Sequence, residues 1–114
     1  MATALLSNTE AGACALELPT APVAHGIVSQ ALLTAPGLRA TLFRFAPGQE
    51  LSEHTSTARV LVQVMEGRAE FTLGGETRTV VPGELLHMPP RLPHAVRAIE
   101  QMTLLVIQAA VPTS

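Results

Sequence analysis

The sequence predicts an all-β fold, built as a sandwich or a small barrel. After Leu38 no stretch of ten or more residues keeps a helical period without a Gly or Pro. Short apolar and β-branched runs instead recur between turn residues. Several of those runs, RVLVQVM and TLLVIQ among them, are apolar on nearly both faces, so the outside of the sheet needs cover as well as the inside.

In chain order, residues 1–12 are small and polar with no amphipathic period and read as a flexible N-terminal arm, ordered only against a partner. Residues 13–114 read as one domain, near the usual size for a single hydrophobic core. Pro19 and Pro22 mark an irregular lead-in to VAHGIVSQALL, and LRATLFRF from Leu38 to Phe45 has strand composition. From there the chain alternates strands and turns: APGQE, RVLVQVM, EGR, AEFTL, GGE, TRTVV, PGE, LLHM, PPRLP, HAVRAI and MTLLVIQ. Gly74–Gly75 is a two-residue hairpin signal, because both central positions of a type I′ turn need positive φ. Gly48, Gly67 and Gly83 are likewise read as turn residues.

Composition removes whole classes of chemistry. The chain has no Lys, Asp, Tyr or Trp, and Cys14 is its only cysteine. Lysine Schiff bases, Asp pairs and tyrosine acids are therefore excluded, as is an internal disulfide. Seven arginines (Arg39, Arg44, Arg59, Arg68, Arg78, Arg91, Arg97) are scattered and the formal charge is -2, so no basic block faces a phosphate backbone and nucleic acid is not expected. The N-terminus carries neither a positive region nor a membrane-length apolar run, and a cytoplasmic protein away from membranes is expected. Hydrophobic residues make up 47% of the chain against 14% charged, more than a small core needs, and a homodimer packed through outer sheet faces is expected.

Two segments carry the chemistry. From Gly48 to Gly67 the chain reads GQELSEHTSTARVLVQVMEG, and from Gly83 to His94 it reads GELLHMPPRLPH. They resemble the two motifs of the cupins, G-x5-H-x-H-x3–4-E-x6-G and G-x5-P-x-G-x2-H-x3-N. The resemblance implies a double-stranded β-helix, or jelly-roll barrel of the RmlC-like type. Gly48, His54 and Gly67 match the first motif; Gly83, Pro89 and His94 match the second. Four positions depart: Ser56 replaces the second histidine, Val60 the glutamate, Arg91 the second-motif glycine and Ala98 the asparagine.

The full pattern implies three imidazoles and a carboxylate on one divalent transition metal, such as Fe, Mn, Ni or Zn; here His54 and His94 remain as metal candidates. Alternation places Ser52, His54 and Ser56 on one strand face, and Val60, Val62, Val64 and Met65 or its neighbours are expected to line the lumen. Among substitute ligands, Glu50 has to reach in from the barrel mouth, Glu53 and Gln63 have the wrong parity, and His87 is expected outside because Leu86 and Met88 look like core. His25 reads as a structural or interface residue. Arg59 and Arg91 read as solvated charges, with an anion contact near the barrel mouth as the sharper alternative.

The expected ligand pocket is His54, Ser56, Val60 and His94, open to a small organic molecule. Two functions fit it: a weakly metal-dependent oxygenase or isomerase, or a metal-free ligand-binding or sensor module without catalysis. A metal-independent enzyme with His54 or His94 as general base ranks last, because the superfamily's epimerases that it resembles use Tyr and Asp that this chain lacks.

Overall fold

The computed structural model describes residues 4–17 and 26–111; Pro19, Pro22 and His25 lie outside the described residues. Nine strands are formed: β1 (Ile27–Ala35), β2 (Leu38–Phe45), β3 (Glu50–His54), β4 (Arg59–Glu66), β5 (Ala69–Leu73), β6 (Glu76–Val80), β7 (Leu85–Met88), β8 (His94–Ala98) and β9 (Met102–Ala109). They make a five-stranded sheet in the order β1-β2-β9-β4-β7 and a four-stranded sheet in the order β3-β8-β5-β6. All pairings are antiparallel. Strands consecutive in sequence repeatedly cross to the other sheet, which gives the jelly-roll arrangement. Among the described residues no helix is long and apolar enough to cross a membrane.

The expected alternation fills the space between the sheets. Val60, Val62 and Val64 of β4, Leu86 and Met88 of β7 and Met102 and Leu104 of β9 point inward from one sheet; Phe71 and Val96 meet them from the other. The β5–β6 hairpin closes at Gly74 and Gly75 with φ of 56° and 91°, as a primed turn requires. Gly67 has a stricter role. At φ 82° it lies so close to the β9 entrance that a Cβ would collide with the Gln101 carbonyl oxygen and come within 2.9 Å of Met102 Cα.

One bulge redirects side chains and corrects a sequence expectation. In β3, Leu51 pairs with Val96 and His54 with His94, so three steps on β3 face two on β8. The extra residue turns both Leu51 and His54 toward the lumen and leaves Ser52 exposed, where strict alternation had put Ser52 beside His54. In β4 Met65 faces outward at 37% exposure rather than lining the barrel, as its parity against the inward Val64 requires, and the register slips only between Val64 and Glu66.

The outer face of the larger sheet carries a second small cluster, Leu32 and Leu42, packed by Ala40, Leu105 and the half-buried Cys14. The cover sought for this face therefore comes in part from the chain's own N-terminal segment. Leu5 and Leu6 donate backbone hydrogen bonds to the Ala31 and Leu32 carbonyls at 3.2 and 2.8 Å, and Asn8 Nδ2 donates to the Thr34 carbonyl at 3.0 Å. This segment runs along β1, the outermost strand of its sheet.

Candidate functional site

Between the sheets lies a cavity of about 350 Å³. His54, Ser56, Val60 and His94 all line it, together with apolar side chains such as Phe43 and Phe71. The β3–β8 register sets the two histidines directly opposite each other. Their ring centroids are 4.2 Å apart with an interplanar angle of 64°, an edge-to-face contact. Access differs: His94 is only 8% exposed, whereas His54 stands at the open end.

Both rings are held by the same device. His54 Nδ1 donates to the Ser52 carbonyl at 2.8 Å, and His94 Nδ1 donates to the Leu92 carbonyl at 2.9 Å. A carbonyl only accepts, so each Nδ1 carries a proton, the tautomer in which Nε2 is the atom turned to a ligand. Ser56 Oγ accepts from the Ala58 N–H at 3.1 Å, which leaves its hydroxyl proton to donate elsewhere. The Ser56 carbonyl accepts from the Arg91 N–H at 2.7 Å and so ties the β3–β4 loop to the loop before β8.

Sequence reasoning missed one polar residue here, Gln108. It lines the cavity and pairs in register with Val60 across β9 and β4. Parity offered the signal, since Met102, Leu104, Val106 and Gln108 alternate on one face of β9. An apolar-looking strand hid it.

The substitute ligands do not converge on the cavity. His87 points outward, its Nε2 2.9 Å from Arg59 Nη1, which also takes Arg59 away from the lumen and from the anion role considered for it. Glu50 is exposed opposite Arg97 on the outer side of the smaller sheet rather than reaching in at the mouth, and Glu53 is exposed in the bulge. Gln63 is exposed as parity predicts. Among the described residues no group of three or more His, Cys, Asp or Glu side chains could hold a metal ion.

The sequence matches the cupin domain family over residues 41–108, from β2 to β9. This chain belongs to the cupins. Comparison with curated proteins finds no match. Among solved structures, a conserved protein of unknown function from Streptococcus pyogenes is 26% identical, covering 97% of each chain with a TM-score of 0.80. A cupin 2 conserved barrel domain protein from Leptotrichia buccalis is 32% identical over 74% of this chain and 41% of its own, with a TM-score of 0.70. A salicylate 1,2-dioxygenase variant from Pseudoaminobacter salicylatoxidans shares the fold at 24% identity and a TM-score of 0.70, over 78% of this chain and 28% of the enzyme.

Cupin barrels commonly take small ligands in the lumen and often hold a metal there. The donor chemistry of this cupin does not fit a tightly held ion. Two imidazoles face the lumen, but Ser56 and Gln108 are neutral oxygen donors and Val60 offers none, so a divalent charge goes uncompensated in an apolar cavity.

Proposed function

We propose that this cupin binds a small organic molecule in its barrel without a resident metal, as a ligand-binding or sensor module. One observation carries the reading: among the described residues the cavity's polar lining is His54, Ser56, His94 and Gln108, with no carboxylate, set against an otherwise apolar wall. A few fixed polar contacts on an apolar wall suit a small ligand. The Ser56 hydroxyl and the Gln108 carboxamide can donate to its polar end, while the His54 and His94 rings pack beside its apolar body.

A second reading, an oxygenase or isomerase with a weakly held divalent metal, is favoured by the shared Nδ1 anchoring, which is also how metal-binding histidines are oriented. Metal analysis of protein purified without chelator separates the two. The metal-free reading expects far less than one transition metal per chain. About one metal per chain, lost in His54→Ala or His94→Ala, overturns it.

For assembly we propose a homodimer. The exposed apolar residues Val28, Val81 and Leu85, the last 69% exposed, support an outer-face contact. A monomer in sedimentation at micromolar concentration overturns that assignment.

A further inference from the structure

Five residues form one continuous row across the larger sheet. Thr34 pairs with Arg39, Arg39 with Gln108, Gln108 with Val60 and Val60 with Met88, through β1, β2, β9, β4 and β7. Arg39 has the same parity on β2 as Phe43 and Phe45, which line the lumen, so its side chain leaves the sheet on the lumen side near the strand's outer end. There an open groove of about 690 Å³ is lined by Thr34, Arg39, Arg91 and Gln108 among others. Gln108 lines both the groove and the lumen cavity and marks where they meet.

The charge along this path has one sign. Arg39 and Arg91 line the groove, and among the described residues no carboxylate lines either cavity. Among the described residues neither guanidinium has an ion-pair or side-chain hydrogen-bond partner. Arg91 also has φ 67°, the only positive value at a described non-glycine residue. A long side chain is held in a backbone region that favours glycine, fixed by its N–H on the Ser56 carbonyl.

We propose that the ligand is an apolar carboxylic acid: its hydrocarbon body fills the lumen and its carboxylate sits at the mouth between Arg39 and Arg91, with the Gln108 carboxamide donating to it. This rests on the lumen reading above and adds the ligand's charge and orientation. Guanidinium forks match carboxylate geometry, and the absence of a competing acid in the lining leaves that match unopposed.

Calorimetric titration with benzoate and hexanoate, against their neutral counterparts benzamide and hexanamide, tests it. Lumen occupancy is read independently from the nitrogen chemical shifts of the His94 ring. The acids bind wild-type protein at least about tenfold more tightly than the amides. Arg39→Gln and Arg91→Gly each weaken the acids by about tenfold and leave the amides unchanged. Arg91→Gly at the same time raises the melting temperature by about 4 °C through relief of the backbone, so lost affinity cannot be ascribed to lost folding. Equal binding of acids and amides at the lumen overturns the acid assignment alone. An acid preference that survives both arginine substitutions and disappears in His54→Gln moves the carboxylate to the histidines and also overturns it. Failure of all four probes to perturb His94 overturns the lumen reading and this inference together.

Discussion

Gln108 on β9 is the register partner of Val60 on β4, so a carboxamide stands one strand away from the position where the cupin pattern expects a carboxylate. The barrel retains two well-oriented imidazoles while the group that would balance a cation is missing. What remains is neutral hydrogen-bonding capacity facing an apolar cavity, which suits an organic ligand better than an ion.

Restoring the charge should restore the ion. The double substitution Ser56→His with Val60→Glu supplies the two departed ligands. Nickel(II) affinity by calorimetry should rise by more than about 100-fold, because these are direct ligands and loss of an outer partner already costs about 10–100-fold. Val60 is 4% exposed, so the metal-free variant should be less stable by about 2 kcal/mol and regain stability when nickel is added. An unchanged nickel affinity in the folded double variant counts against the assignment of the two lost positions.

Filling the lumen should silence it. Val106 is half-buried, lines the cavity and alternates with Leu104 and Gln108 on β9. Val106→Phe should abolish binding of small lumen ligands in titration. The melting temperature should move by no more than the equivalent of about 1–2 kcal/mol, because the new ring enters existing space. Retained affinity in this variant places the ligand elsewhere.

Gly67 and Gly83 separate backbone strain from steric contact. Both have positive φ, 82° and 96°, but a Cβ at Gly83 meets nothing within 4 Å while one at Gly67 meets the β9 backbone. Gly83→Ala should lose about 1 kcal/mol by denaturant unfolding and Gly67→Ala about 3 kcal/mol or more. Similar losses at the two sites would show that the chain relaxes freely around residue 67.

Much of this fold was legible because strand parity and turn glycines report local geometry directly. LRATLFRF became β2 without a residue's difference, and the GG hairpin closed where expected. His54, Ser56, Val60 and His94 meet at one cavity because motif spacing encodes strand register. The bulge in β3 was not legible: a residue inserted opposite β8 leaves no compositional mark, and alternation assigned Ser52 to the wrong face. Gln108 was hidden for a different reason, since its importance depends on which strands flank β9, and that is a long-range fact.

The N-terminal segment invites its own measurement. Removal of residues 1–17 uncovers the Leu32 and Leu42 cluster and frees the Ala31 and Leu32 carbonyls on β1. The truncated chain should lose about 1–2 kcal/mol and self-associate more readily in sedimentation, because an uncovered outer strand recruits other chains. Unchanged stability and assembly would reduce the segment to a passive extension.

The bulge in β3 makes the histidine pair tolerant of a one-residue change in chain length. Deleting Ser52 or Glu53 would make the spacing from Leu51 to His54 even-numbered and regular, and the same imidazole would stay on the lumen side with Leu51, opposite His94, without the bulge. Loss of one codon here thus leaves two inward histidines while the spacing from Gly48 to the first of them shortens by one, so a relative with that shorter spacing can still present the same facing pair.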